Sequence, residues 1–265
     1  MKTTCLPAKH ALAILALATM VAGCAGMEQP NPRDPLEPLN RQTHKLNEAV
    51  DNVALKPVAT VYRNAVPPIM RTGVSNFFGN LGDAWSAVNS LLQFRLQDAE
   101  ESVARFHLNT MFGLLGIIDI ASDLNIERHR EDFGQTLGRW GVPAGPYIVL
   151  PLLGPSTLRD TVALPVDWKF DLISSFRPIA LRNSTYGVRA IDTRSNLLRV
   201  SAVLDEASID KYSFTRDAYL QRRRAEVLDY RDGDRDVPPP LPEDGSEPAP
   251  AAKPGAGQPA PAPAR

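Results

Sequence analysis

Apolar residues return at helical intervals along most of this chain. In DPLEPLNRQTHKLNEAVDNV, Leu39, Leu46, Val50 and Val53 are spaced by seven, four and three. That period gathers side chains on one face of an α-helix. Leu96, Ala99, Val103 and Phe106 repeat it in LQDAEESVARFHLNTMFG, and Asp98 with Glu101 three residues on predicts a capping box at the start of that helix. Two more helices are expected over 186–204 and 212–230. Pro67-Pro68, Pro57, Pro165 and Pro178 predict breaks that divide the chain into short helices. No internal repeat with a period of about 20 to 50 residues is present. The pattern reads as mainly α.

Two stretches depart from one-sided patterning. Met111 to Ile118 is almost continuously apolar, and so is Tyr147 to Leu153 within GPYIVLPLLGPSTLRD. Both are too short to span a bilayer as a helix, which takes about 20 residues. The run from Tyr147 reads as extended, with Gly145-Pro146 and Gly154-Pro155 as corners of a short hairpin and Pro151 keeping it out of a regular sheet. Arg159 and Asp160 close it and predict a structural pair that braces the loop. An oily run of this kind either packs as core or faces acyl chains, and periodicity does not choose between them.

The ends of the chain are different material. Lys2 and Lys9 precede an apolar segment from Ala11 to Met20, followed by Val21-Ala22-Gly23-Cys24. Basic flank, short apolar core and small residues before the cut are the marks of a secretory signal. Cys after Val-Ala-Gly is the form of a bacterial lipobox, so residues 1–23 are expected to be removed and Cys24 to carry lipid. Cys5 lies inside the expected leader, so the mature chain would hold no second thiol, no disulfide and no cysteine metal site. Ala25, not Asp, follows, which in enteric bacteria favours the outer membrane. Residues 24–33 form a linker that reaches about 35 Å at most, so the domain should sit on the membrane. Residues 233–265, rich in Pro, Ala and Gly, are expected to be a disordered tail.

Between the ends, 34–232 is long enough for one domain with its own core. The chain of 265 residues has a formal net charge of −1, which leaves no electrostatic footprint for nucleic acid. DPLEPLNR (34–41), SNFFGNLGDAWSAVNSLLQ (75–93), RFHLNTMFGLLGIIDIASDL (105–124) and EDFGQTLGRWGVPAGPYIVLPLLGPSTLRD (131–160) stand in this order behind the lipobox. The set resembles the VacJ/MlaA family of outer-membrane lipoproteins over essentially the whole domain. The resemblance implies a ring-shaped helical lipoprotein in the periplasmic leaflet of the outer membrane. It implies passage of stray outer-leaflet phospholipids through an amphipathic channel to a periplasmic carrier (MlaC), which serves an inner-membrane ABC transporter. Trimeric porins are the companions it implies. Lipid asymmetry is the purpose, and no cofactor is involved.

Other chemistries leave weaker marks. His44, His107 and His129 stand in no metal spacing with another His or a Cys. Ser156, in Gly154-Pro155-Ser156-Thr157, is not in a GxSxG elbow, so a lipid hydrolase is the weaker rival. A structural lipoprotein bridging porins, membrane and cell wall is the other. No Walker A pattern is present, so no ATP-driven motor is encoded. A conduit has to keep about 30 lipid methylenes out of water, roughly 24 kcal/mol at 0.8 kcal/mol each, while sheltering the head group. The chain mixes amides, hydroxyls and acids among apolar helix residues: Asn76, Asn80, Asn89, Gln93, Asn109, Asp119, Asp132, Gln135 and Thr136 are the candidate channel residues. Asp119, inside MFGLLGIIDIA, has two readings: it faces a polar lumen, or it is a helix N-cap or ion-pair partner. Trp85, Trp140 and Trp168 suit either a membrane interface or a core. Arg222-Arg223-Arg224 suits either a solvated helix face or contact with anionic lipid.

Overall fold

The computed structural model describes residues 34–228. Cys24, the leader, the linker and the Pro-rich tail lie outside the described residues. Helix α1 (Glu37–Val50) opens with a proline in its first turn, where the missing N–H is not needed. It runs through one π-helical turn, Asp51–Leu55, into α2 (Lys56–Ala65). Pro57 therefore does not cut the chain as expected. It sits in the first turn of α2, and the ladder ahead of it widens into the π turn rather than breaking.

Pro67 and Pro68 do mark a boundary, and from there α3 (Pro68–Leu92) runs 25 residues. Phe94, at φ 60°, turns the chain into α4 (Leu96–Met111). The expected capping box at Asp98 is absent. The helix starts two residues earlier, so Asp98 lies inside the first turn and pairs with Arg95 instead. The box is formed at Asp132 and Gln135, at the head of α6 (Phe133–Arg139). A single turn, α5 (Ile120–Asp123), separates α4 from α6.

Strands β1 (Tyr147–Leu150) and β2 (Gly154–Thr157) form an antiparallel hairpin in which Tyr147 faces Thr157 and Leu150 faces Gly154. Helix α7 (Leu158–Phe170) follows and passes straight through Pro165, another expected break that does not occur. After a 3-10 turn (Leu172–Ser175), α8 (Ile179–Ala207) starts at Pro178 and extends 29 residues. Helix α9 (Lys211–Leu228) ends the described chain. The mainly α fold with one short hairpin is as read from the sequence, but α3 and α8 are long rather than short.

The packing closes on itself. Helix α1 holds β1, β2 holds α9, α9 packs on α6, α6 on α3, α3 on α8, and α8 on α2, which returns through the π turn to α1. Helices α4, α5 and α7 fill in beside this ring of elements, α4 lying along α3.

Candidate functional site

The inside of this domain is polar. Among the described residues, 24 polar or charged residues are buried against 12 hydrophobic ones, and five of the twelve are alanines. Thirty-six large hydrophobics among the same described residues are exposed. A water-soluble domain orders these classes the other way. An apolar surface of this extent marks contact with membrane or partner.

Arg105 of α4 anchors one buried seam at 1% exposure. Its guanidinium donates to both carboxylate oxygens of Asp119 at 2.8 Å, to Ser122 and to the carbonyl of Ile126. Asn109 donates to Asp119 at 3.0 Å and accepts from the Ala121 amide. Asp119 is also the N-cap of α5, accepting from the Ser122 amide. Burial works against its charge, but the Ser122 and Asn109 hydrogen bonds and the Arg105 and Arg128 guanidiniums outweigh it and hold the carboxyl at about 2. Asp83 of α3 lies on the other side of Arg105 and Arg128, at 3.6 and 3.3 Å. Burial pushes its carboxyl up despite both arginines. Of the two readings of Asp119, cap and ion-pair partner describe its contacts.

A second seam joins α3 to α6. Thr136 donates to Asn89 at 2.8 Å, and Gln93 donates to Thr136 at 3.1 Å and to Glu131 at 3.0 Å. Arg95 closes the seam on Glu131. Asn80 donates to Thr110 at 2.8 Å, and Asn76, partly exposed, donates to the carbonyl of Ile117. The candidate channel residues thus fall in three groups: Asn109 and Asp119 in the Arg105 seam, these α3-centred ones, and Asp132 with Gln135, which sit under α9.

The seam under α9 is built on Arg223. Its two faces hold two acids: Asp132 at 2.6 and 2.7 Å, and Asp160 at 2.9 and 3.0 Å. Tyr219 donates to Asp160, Arg159 lies 3.1 Å from it, and Gln135 donates to Glu226. Burial opposes the charge on Asp160, but the hydrogen bonds and charge of Arg223, with Arg159 and Tyr219, bring its carboxyl below the usual range. Gly134 is required here, because a Cβ would lie 2.5 Å from Asp160. The basic cluster is therefore not one surface. Arg223 and Arg224 are buried, and only Arg222 is exposed. The α9 helix docks this face onto α6, an arrangement its own sequence period does not reveal.

The hairpin is seated by two residues that carry no signal in the helical pattern. Asn40 donates to the Tyr147 carbonyl and accepts from the Val149 amide, both at 2.9 Å. Asn47 does the same for Leu150 and Leu152, at 2.9 and 2.8 Å. Each amide side chain imitates a neighbouring strand. The one available clue is two asparagines seven apart on one helical face. Tyr147, Val149 and Tyr212 make the one buried hydrophobic cluster found among the described residues. The hydroxyl of Tyr212 bonds Asp34, itself held by Asn40.

The two oily runs now separate. In the hairpin Tyr147 and Val149 point into the core, while Leu152 and Leu153 at its tip are exposed. The run after α4 turns its apolar side chains outward: Met111, Phe112, Leu114 and Leu115 are each about two-thirds exposed or more. Leu114 and Leu115 adopt φ 51° and 59°, a left-handed conformation that costs a non-glycine residue about 1–2 kcal/mol. Gly116, at φ 91°, closes the turn where a Cβ would come within 2.5 Å of Asn80. Strained backbone here presents leucine to the surroundings instead of burying it. Beside the turn, Met70, Gly73, Phe77, Ile117 and Val188 line an apolar cavity of about 480 Å³. Trp140 and Trp168 are half exposed, whereas Trp85 stacks on Phe170 and donates to Asp167.

Ser156 contacts the Thr157 carbonyl and the Thr161 hydroxyl, neither of them a base. Glu101, Glu127 and His129 bring ligand atoms within 4.8 Å of one another, and His129 is taken up by Glu101 at 2.7 Å. No helix among the described residues is long and apolar enough to cross a membrane.

The MlaA lipoprotein family model matches residues 32–226. The chain belongs to the MlaA lipoprotein family. It is 38% identical over 222 residues to the intermembrane phospholipid transport system lipoprotein MlaA of Escherichia coli (strain K12), covering 81% of this chain and 87% of that protein. The Haemophilus influenzae protein of the same name is 36% identical over 236 residues, covering 83% and 91%. A solved chain, described as the structural basis for maintenance of bacterial outer membrane lipid asymmetry, superposes with a TM-score of 0.65 at 36% identity, over 73% of this MlaA-family chain and 98% of its own length.

Proposed function

We propose that this chain is an outer-membrane lipoprotein, anchored through lipid on Cys24, that passively moves mislocalised phospholipids from the outer leaflet to a soluble periplasmic carrier. The carrier is of MlaC type, and a trimeric porin holds the lipoprotein in the membrane. The protein catalyses no reaction of its own. The observation that carries this reading is the reversed partition of the domain: hydrogen-bonded polar seams inside, apolar side chains outside. Such a body rests in the hydrocarbon of one leaflet without a spanning helix, because its exposed apolar area replaces lipid contacts rather than water contacts. Kinship with phospholipid transport lipoproteins supports the same reading. Asn76 donates to the carbonyl of Ile117, a residue lining the apolar cavity, and is the candidate channel residue we assign to the head group.

The test is a deletion strain complemented with the wild-type gene or with Cys24→Ser. Outer-leaflet phospholipid should rise on deletion, return to normal with the wild type, and stay high with Cys24→Ser, which should also lose fatty-acid labelling. An unchanged outer leaflet on deletion would sink the transport role. Loss of function with Ser156→Ala at normal abundance would revive a hydrolase. Truncation after Asp232 should be tolerated, and detachment of the envelope in that truncation would favour a structural bridge.

A further inference from the structure

Three arginines meet at one surface pocket, and none of them is held in an ion pair among the described residues. Arg63 of α2, Arg71 of α3 and Arg199 of α8 line it together with Ser195 and Asn196, and its volume is about 350 Å³. At least ten other arginines of the domain pair with carboxylates. Among the described residues these three do not. The acid nearby, Asp192, is buried and already committed: it accepts from Ser75 at 2.7 Å and from Tyr62 at 3.2 Å. Arg71 spends its Nε on the carbonyl of Val66 at 3.1 Å, which fixes the side chain and leaves its two terminal nitrogens for a ligand. Converging like charges repel unless an anion lies between them, and guanidinium forks match phosphate oxygens in shape and charge.

The second observation is what adjoins the pocket. Met70, the residue before Arg71, lines the apolar cavity of about 480 Å³, and so does Val188 of α8. Along α8 the cavity side at Val188 and the pocket side at Ser195 are seven residues apart, about 10 Å of helix. That is the scale separating the phosphate of a phospholipid from its acyl chains. The same two helices therefore carry a basic pocket and an apolar cavity side by side.

We infer that this pair is a binding site for one phospholipid, with the phosphodiester at Arg63, Arg71 and Arg199 and an acyl chain in the cavity beside Met70 and Val188. The inference rests on the lipid-transport reading for its choice of ligand. Free phosphate shares the head-group chemistry, so the experiment separates the two sources.

Full-length protein in a maltoside detergent is titrated calorimetrically with dihexanoyl phosphatidylglycerol and with inorganic phosphate. Arg63→Gln/Arg199→Gln should bind the short-chain lipid at least ten-fold more weakly than wild type, and Arg63→Lys/Arg199→Lys should recover most of the loss. Val188→Trp should weaken lipid and leave phosphate unchanged. Unaltered lipid binding by a Gln double variant that melts like wild type overturns the site. Should it not fold, the folded Lys variant with Val188→Trp decides, and lipid binding equal to wild type overturns the site there too. Phosphate binding as tight as lipid binding, with no effect of Val188→Trp, overturns the lipid as occupant. Lipid binding lost in the Gln variant, with a normal outer leaflet in the deletion strain, removes the transport reading and keeps the site. An altered outer leaflet with unchanged binding does the reverse.

Discussion

The hairpin clasp and the α3–α4 half of the domain are built on opposite plans. At the clasp, Tyr147, Val149 and Tyr212 pack as a small hydrophobic core, and asparagine side chains from α1 complete the edge of β1. Along α3 and α4, burial goes mainly to polar residues such as Asn80, Asp83, Asn89, Arg105 and Asn109, with Phe78, Ala87 and Ala99 as the buried apolar ones, while Ile69, Met70, Val88, Leu91, Leu96 and Val103 face out. The first plan draws stability from removing apolar surface from water. The second draws less from that, so its cohesion comes from hydrogen bonds and paired charges. On the proposed function, the second half is the one that hydrocarbon would surround.

Four changes test that contrast, beginning with the largest effect. Arg105→Met should cost about 3–5 kcal/mol, because it strands the acids on either side of the guanidinium. Denaturant unfolding in detergent measures it, and a loss below about 1 kcal/mol would mean the seam is not structural. At the clasp, Asn40→Ala should cost about 2–3 kcal/mol, since the Tyr147 carbonyl and Val149 amide lose a buried partner. Hydrogen exchange at Val149 should speed up with it, and protection equal to wild type would show that the strand edge is satisfied another way.

Acid should loosen the α4–α5 seam in particular. Asp119 titrates at about 2 when folded, below its ordinary 3.8, so its contribution is fully present above pH ~4 and is lost as pH falls through about 2. Allowing for partial exposure, that is about 1–2 kcal/mol. Asp83 works in the opposite sense, because burial raises its carboxyl and protonation relieves it. Stability profiles from pH 5 to pH 2 should therefore flatten in Asp119→Asn, and parallel profiles would assign the acid loss elsewhere. The smallest effect on folding belongs to Leu114→Ser/Leu115→Ser. These exposed leucines should change unfolding by no more than about 0.5 kcal/mol, yet lower association with phospholipid vesicles, because each removes apolar area that lipid would cover. A variant that floats with vesicles as well as wild type would detach the turn from the membrane.

Much of this is legible in the chain. The helical span expected over 186–204 falls on α8, which begins earlier, at Ile179, and that over 212–230 falls on α9 as far as Leu228, its last two residues lying outside the described residues. The hairpin is legible too, but Gly154-Pro155, expected as one of its corners, lies inside β2, paired with Leu150 and Val149, and the turn falls at Pro151, Leu152 and Leu153. The arginine cluster at 222–224 is not legible, because Arg223 is sorted from Arg222 by acids 63 and 91 residues away. A capping-box motif carries no marker of where its helix begins, and Phe94 at positive φ shifts that start away from Asp98. Asn40 and Asn47 have the pattern of solvated helix residues until β1 is laid against them.

Local order follows from short-range forces: helix period and the boundary at Pro67-Pro68 act within a few residues, and the sequence alone determined them, together with the family to which the chain belongs. Which side of an apolar run faces inward is a property of what else folds against it. The run at 111–118 and the run at 147–153 are alike in composition, yet the apolar side chains of one are exposed throughout and those of the other are split between core and tip. Only the tertiary structure decided that, because burial is settled by partners distant in sequence, and the rule that apolar residues go inside holds only where the surroundings are water.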